Sequence, residues 1–127
     1  MLDLTKMSEI FVELSDEIMK EVKKLRGKPE GRRVIGRNPV GEPTKLIDRI
    51  AEDKILTGLR EHFRDAKIIS EESGEIILGK GAPITILVDP LDGSSNASRG
   101  IALYAFSVAV AKGPRLTDVI YGFVRDL

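Results

Sequence analysis

The chain has 127 residues, 42% of them hydrophobic and 31% charged, a composition typical of one globular domain and not of a disordered chain. Twenty basic and twenty acidic residues leave no formal net charge, which argues against a nucleic-acid partner. There is no cysteine, so disulfide frameworks, thiolate metal sites and cysteine nucleophiles are excluded.

The first predicted element is an amphipathic helix over residues 4–25. Its apolar residues recur at steps of three and four, which places them on one helical face. Gly27 and Pro29 then end the helix. The members of this apolar stripe are Leu4, Met7, Phe11, Leu14, Ile18, Val22 and Leu25.

A basic stretch covers residues 20–37, where eight lysines and arginines accompany only two acids. Two interpretations are open. The stretch is either a solvated helix end, whose cations suit the negative end of the helix dipole, or a basic rim for an anionic substrate.

A short hairpin or an irregular loop is expected over residues 33–40, which are flanked by glycine and proline. A second helix is predicted to begin near Thr44, as its N-cap, and to run towards Phe63. Asp48 and Glu52 lie four residues apart in it, so both should lie on one helical face.

Short runs rich in β-branched residues follow, at residues 66–69 and 84–88, and these predict strands. Residues 104–111 alternate large and small side chains with a period of two, and residues 119–124 should pair with them. The prediction is an α+β fold in which two N-terminal helices pack on a largely antiparallel sheet. We expect residues 1–127 to form one domain.

No apolar segment approaches the ~20 residues that a transmembrane helix needs, so no membrane partner is expected. The chain also does not open with a basic segment, an apolar run and a small-residue cleavage site. We therefore expect a cytoplasmic protein.

The motif richest in chemistry is Asp-Pro-Leu-Asp-Gly-Ser-Ser-Asn at residues 89–96, directly after an apolar strand. Pro90 biases Asp89 towards an extended backbone, so Asp89, Asp92 and the carbonyl of Leu91 can face one point. Oxygen ligands of this kind suit hard divalent cations. The turn that follows leaves backbone N–H groups free for an anion.

A second acidic pair, Glu71 and Glu72, also follows a strand. Several carboxylates that converge repel one another unless cations neutralise them, as a two-metal cluster does. Taken singly, the first motif could be a capped turn and the second a solvated surface. Together, after two apolar strands, they favour a metal site.

Two other sequence features do not support a functional site. Residues 74–81 imitate a phosphate-binding loop, but Gly81 stands where that loop needs a hydroxyl residue. His62 is the only histidine and falls near the end of the second predicted helix, where it is expected to be a packing or surface residue. Serine nucleophile chemistry is therefore not expected.

Three motifs in this order resemble the inositol monophosphatase and fructose-1,6-bisphosphatase superfamily of magnesium-dependent, lithium-sensitive sugar phosphatases. They are Thr-Lys-Leu-Ile-Asp at residues 44–48 with Glu52, Ser-Glu-Glu-Ser at residues 70–73, and the motif at residues 89–96. The mixture of inositol-type and fructose-type motifs is similar to the archaeal enzymes that act on both substrates. The resemblance implies hydrolysis of inositol-1-phosphate, fructose-1,6-bisphosphate or both.

The resemblance implies two or three Mg²⁺ ions. Glu71, Asp89 and the carbonyl of Leu91 would hold one ion, Asp89 and Asp92 a second, and Asp48 a further, weaker one.

The same resemblance assigns catalytic roles to Asp48, Glu71 and Ser94. The Ser94 hydroxyl, with Glu71, would orient the attacking water. The N–H groups of Gly93, Ser94 and Ser95 would bind the phosphate of a sugar-phosphate or inositol-phosphate substrate.

The superfamily's members are considerably longer than 127 residues, and their second half supplies another metal-binding aspartate and most sugar contacts. We therefore expect an N-terminal half that forms a homodimer or pairs with the missing C-terminal half. Two rival hypotheses remain: a non-catalytic module that binds metal or sugar phosphate, and a sheet-forming fragment that assembles with another chain.

Overall fold

The computed structural model describes residues 3–127, which form four α-helices and seven β-strands. The helices are α1 (Leu4–Leu25), α2 (Pro29–Arg32), α3 (Leu46–His62) and α4 (Ser94–Ser98). The strands are β1 (Val34–Arg37), β2 (Pro43–Lys45), β3 (Ala66–Ser70), β4 (Gly74–Leu78), β5 (Ile84–Asp92), β6 (Ala105–Ala111) and β7 (Val119–Asp126). None of the helices in this range has the length and apolar character of a membrane span.

The main sheet has five strands in the order β4-β3-β5-β6-β7. Neighbouring strands are antiparallel except β3 and β5, which run parallel and are separated in the chain by β4. The helices α1 and α3 pack on one face of this sheet. The predicted α+β fold with a largely antiparallel sheet is thus confirmed.

Helix α1 has the predicted bounds and buries the predicted stripe except at its two ends, since Leu25 is only partly buried and Leu4 is exposed. Asp3 caps the helix, since its Oδ1 accepts a hydrogen bond of 2.9 Å from the Thr5 N–H. Leu4 was predicted to belong to the buried stripe, but it is 52% exposed because the first turn of α1 projects beyond the sheet-facing core.

The segment after α2 is a hairpin, the first of the two predicted alternatives, with β1 antiparallel to β2. Thr44 lies in β2 and is not the N-cap of the second helix, which begins at Leu46. The cap position belongs to Lys45, whose N–H donates to Asp48 Oδ2 over 2.9 Å. Asp48 therefore stabilises the first turn of α3 from inside the helix.

The core lies between the helices and the sheet, and Phe11 is at its aromatic centre. The Phe11 ring is fully buried, and its centroid lies 5.7 to 6.5 Å from four other aromatic rings. Those rings belong to Phe63, Phe106, Tyr121 and Phe123. One side chain of α1 thus packs against the end of α3 and both strands of the predicted β6–β7 pair.

The opposite face of the sheet, called here the open face, is not covered by any described element. Its apolar side chains include Ile77, Leu87 and Val124, which are 52%, 53% and 72% exposed. Ile77 belongs to β4, a strand that the sequence did not predict, in the segment that imitates a phosphate-binding loop. The outer strand β7 adds an unpaired edge beside this face.

Phe11→Ala should lower the free energy of unfolding by about 3–5 kcal/mol, because it empties the centre of the aromatic cluster. Val12→Ala is the matched control, since Val12 is its neighbour on α1 and is 44% exposed. The control should cost about 0.5 kcal/mol or less. Urea unfolding of the purified protein measures both, and equal losses for the two variants would contradict the packing described.

The 127-residue chain by itself should self-associate through the open face, because an exposed apolar sheet face and an unpaired edge favour contact with another chain. Size-exclusion chromatography with light scattering should show a mass that rises with concentration. Leu87→Lys, at the centre of the face, should lower that mass. A monodisperse monomer at every concentration would contradict the expectation.

Candidate functional site

The site begins where β3 ends beside the parallel strand β5. Strands β3 and β5 pair in register, with Ser70 opposite Val88, so the next residues along the chain are Glu71 and Asp89. In both segments an acid follows a short apolar run, and the parallel pairing brings the two acids to the same edge of the sheet, although β5 continues to Asp92. The predicted meeting of the two acidic motifs is therefore present in the structure.

A β-bulge in β5 places Asp92 on the same face of the sheet as Asp89. Asp89 pairs with Ser107 and Asp92 with Ala105, so three steps along β5 match two steps along β6. Without this extra residue, alternation would place two acids three apart on opposite faces. The bulge is at Pro90 and Leu91, whose side chains are both buried. Pro90 fits there because it has no N–H to donate to the strand ladder.

The carboxyl groups at this edge hold protons more strongly than free carboxyls do. The pKa of Glu71 is raised to about 7, first by partial burial and then by the negative charge of Asp89 and a hydrogen bond to it. Burial also raises the pKa of Asp89, although a hydrogen bond from the Leu91 N–H at 3.3 Å opposes this effect. Burial raises the pKa of Glu72 as well. Burial and the neighbouring acids thus make the ionised form of these carboxyl groups less favourable than in free carboxyl groups.

A cleft of about 300 Å³ opens beside Glu71. Four of the predicted site residues line it together: Asp48, Glu71, Ser94 and Ser95. The other lining residues are Asn38, Glu42, Pro43, Lys45 and Glu72. The start of α3, the loop between β1 and β2, the end of β3 and the start of α4 therefore form its walls.

Two hydrogen bonds from the protein fix the carboxyl groups of Glu72 and Asp48 in the cleft. The Thr44 hydroxyl donates to Glu72 Oε2 over 2.6 Å, and the Lys45 N–H donates to Asp48 Oδ2. Thr44 is fully buried and Asp48 is 4% exposed. The strand β2 and the first turn of α3 thus fix two carboxyl groups that would otherwise repel their neighbours.

The acidic loop after β3 is anchored to α3 by the fully buried carboxyl group of Glu52. The Ser70 hydroxyl donates to both oxygens of Glu52, with Oε2 at 2.6 Å, and the Ser73 hydroxyl donates to Oε2 over 2.9 Å. Ser70 and Ser73 flank Glu71 and Glu72 directly. Glu52 therefore fixes both ends of the loop that carries the two acids.

The remaining predicted residues, Asp89, Leu91, Asp92 and Gly93, do not line this cleft. Asp92 and Gly93 line a neighbouring depression, and Asp92 is exposed. Gly93 has φ +91°, and a Cβ there would lie 2.8 Å from the Leu103 carbonyl oxygen, so glycine is required to turn the chain into α4. The side chain of Leu91 is buried, 4% exposed.

Sequence reasoning missed four cleft residues. Asn38, Glu42 and Pro43 come from a hairpin whose position over the site depends on tertiary packing and has no local signal. Lys45 was part of the quoted motif, but it was given no role. The basic stretch at residues 20–37 contributes none of the lining residues, and His62 is an exposed residue at the end of α3, as predicted.

The donors at this edge suit a hard cation by their chemistry, since they are carboxylates with raised pKa values and carbonyl oxygens. Within residues 3–127, no three acidic or imidazole side chains already converge closely enough to hold a metal ion. Asp48, Glu72 and Asp89 each accept a hydrogen bond from the protein instead. The carboxyl groups are thus near one another but oriented by protein donors.

Comparison with known proteins identifies relatives over almost the whole chain. Residues 3–124 match the model of the inositol monophosphatase family. A fructose-1,6-bisphosphatase/inositol-1-monophosphatase of Methanothermobacter thermautotrophicus is 38% identical over 126 residues. The match covers 92% of this chain and 45% of that protein, so the chain spans less than half the length of this curated relative.

Two further comparisons also identify phosphatases as similar proteins. A bifunctional NADP phosphatase/NAD kinase of Methanocaldococcus jannaschii is 38% identical over 104 residues, which cover 82% of this chain and 18% of that protein. The crystal structure of the MJ0109 gene product, an inositol monophosphatase–fructose 1,6-bisphosphatase, superposes with a TM-score of 0.80 and 32% identity. That superposition covers 94% of this chain and 44% of the other.

The raised pKa of Glu71 predicts that the metal-free protein loses stability as the pH rises. The folded state holds this proton more tightly than the unfolded chain, so the stabilisation is complete below pH 4.5 and is lost as the pH rises to about 7. Glu71→Gln mimics the protonated form and should be more stable than the wild type at pH 8, but not at pH 4. Urea unfolding in EDTA across this range measures the difference, and a difference independent of pH would contradict the prediction.

Proposed function

Because the chain belongs to the inositol monophosphatase family, we propose that it acts as a magnesium-dependent phosphomonoesterase on inositol-1-phosphate and fructose-1,6-bisphosphate. The observation that carries the proposal is the parallel register of β3 and β5, which brings Glu71 next to Asp89 beside a cleft, with Asp92 on the same face of β5 as Asp89. Hydrolysis of a phosphate monoester requires positive charge near the phosphate and an activated water, and such acids can hold the cations that supply both.

We assign the ions to the chain's own oxygen donors. Glu71, Asp89 and the Leu91 carbonyl would hold one Mg²⁺, Asp89 and Asp92 would hold a second, and Asp48 would hold a weaker third. Bound Mg²⁺ supplies a water of lowered pKa and offsets the charge of the phosphate. Asp48 and Asp89 each already accept one hydrogen bond, which leaves lone pairs on each carboxylate for a ligand role.

The protein groups then position the reactants. Glu71 and the Ser94 hydroxyl both line the cleft, and we assign them the orientation of the attacking water, with Asp48 beside them. The N–H groups of Gly93, Ser94 and Ser95 bind phosphate oxygens. Water attacks phosphorus in line with the leaving oxygen, so the products are inorganic phosphate and the sugar alcohol, with no covalent enzyme intermediate.

A second candidate function is a non-catalytic module that binds metal or sugar phosphate and needs a partner chain to complete a site. The open face supports a partner of either kind that we propose, a second copy or a C-terminal half. Release of phosphate, against ligand-dependent stabilisation alone, separates the two functions.

Asp92→Asn should lower magnesium-dependent phosphate release by roughly a hundredfold or more while the fold stays intact, because Asp92 is exposed and its carboxylate has no packing role. Asp53→Asn is the matched control, an exposed acid on α3 in the groove against α1. Steady-state assays of the purified gene product measure both. Near-normal activity of the Asp92 variant at saturating Mg²⁺ would remove Asp92 from the site.

The gene product should hydrolyse both inositol-1-phosphate and fructose-1,6-bisphosphate, because the assigned groups contact phosphate and metal and not the sugar. Phosphate release from a panel that includes both esters and NADP measures this breadth. Lithium should inhibit by occupying one of the magnesium sites. A panel in which only one ester is hydrolysed would refute the dual specificity but not the phosphatase activity.

A further inference from the structure

Lys45 is the one cationic side chain among the described residues that line the cleft. It ends β2 and precedes the first residue of α3, a position fixed by the β1–β2 ladder on one side and by the helix on the other. Asp48 accepts from its backbone N–H over 2.9 Å, which further fixes the backbone of the residue. The side chain of Lys45 therefore starts from a rigid base.

The ammonium group of Lys45 does not pair with the acids that surround it. Among residues 3–127, no carboxylate oxygen lies within 4.0 Å of its Nζ, although Glu42, Asp48, Glu71 and Glu72 line the same cleft. Nζ instead donates to Ser95 Oγ over 2.9 Å, across 50 positions of sequence. The ammonium group of Lys45 is thus held against the start of α4, where Ser95 lies.

The chemistry of an ammonium group leaves room for an anion at this point. An ammonium group has three N–H donors, and Ser95 accepts one of them. Lysine binds phosphate as a point charge, and a hydrogen bond between two charged groups is about twice as strong as a neutral one. A phosphate oxygen can therefore accept a hydrogen bond from Lys45 Nζ, either in place of the Ser95 hydroxyl or in addition to it.

We propose that Lys45 is a substrate-binding residue, whose ammonium group binds the phosphate dianion of the ester beside Ser95 in the cleft. This inference rests on the proposed function and adds to it a cation supplied by the protein. Lys45 fixes the phosphate from the α3 side, while the assigned N–H groups hold it from the α4 side. The residue should thus raise affinity for any phosphate monoester, whatever its sugar.

The test measures binding of inorganic phosphate to the purified gene product by calorimetry, at saturating Mg²⁺. Lys45→Met removes the charge and keeps the length, and it should weaken phosphate binding roughly tenfold to a hundredfold. Lys45→Arg should restore most of the affinity, and Lys45→Gln is a second neutral variant should the first fail to fold. Lys54→Met is the matched control, since Lys54 is a similarly half-buried lysine that lines a different groove of α3.

The outcomes separate the inference from the proposed function. Unchanged phosphate affinity in both neutral variants, or an absence of phosphate binding by the wild type, would overturn the role of Lys45. Binding that depends on Lys45, without hydrolysis of any ester, would support the inference and refute the phosphatase proposal. In an active enzyme, the Lys45→Met variant should raise KM by the same factor as the Kd for phosphate.

Discussion

The parallel register of β3 and β5 is the constraint on which the site depends. It aligns Ser70 with Val88 and so forces the next residues, Glu71 and Asp89, to share one edge of the sheet. Partial burial, and after it the negative charge of Asp89, raises the pKa of Glu71 to about 7, so the proximity of the two acids is unfavourable when both are ionised. A core element gains nothing from such repulsion. The arrangement is understandable where a cation is part of the functional state, because a cation converts the repulsion into binding free energy.

Hydrogen bonds to residues of α3 and β2 hold the acidic residues in place against this repulsion. Glu52 of α3 accepts hydrogen bonds from the serines on both sides of the acidic pair, and the Thr44 hydroxyl donates to Glu72. Thr44, Glu52 and Ser70 are buried, so their polar groups would be costly to leave without a partner. Helix α3 is in turn fixed by the aromatic core around Phe11. The acids are therefore held in place by packing that does not itself depend on a metal ion.

The sequence allowed much of the fold to be predicted wherever a periodic pattern coincided with burial. Helix α1 and strand β6 have strict patterns, and the structure confirms both. The sequence of strand β4, Gly-Glu-Ile-Ile-Leu, does not alternate apolar and polar residues although its burial does, and the glycines in and after it imitate a phosphate-binding loop. Thr44 has the chemistry of a helix cap, but its hydroxyl is used by Glu72, a partner 28 residues away that no local rule reveals.

The same limit applies to the site. The motif at residues 89–96 could be recognised, but the bulge that turns Asp92 to the face of Asp89 is visible only in the pairing with β6. The pairing of Lys45 with Ser95 joins two segments 50 residues apart, so the sequence could show the residues but not their contact. Long-range register and side-chain pairing thus supply what local patterns omit.

In the proposed function, Glu71 and Asp89 share one cation. Anomalous diffraction from crystals of the gene product soaked with Mn²⁺, a hard divalent substitute for Mg²⁺, tests this sharing. We expect a Mn²⁺ peak bonded to carboxylate oxygens of both residues, with the Leu91 carbonyl beside it, and the loss of that peak in Glu71→Gln. Saturating Mn²⁺ that leaves this edge of the sheet empty, or that binds equally well to the variant, would contradict the claim.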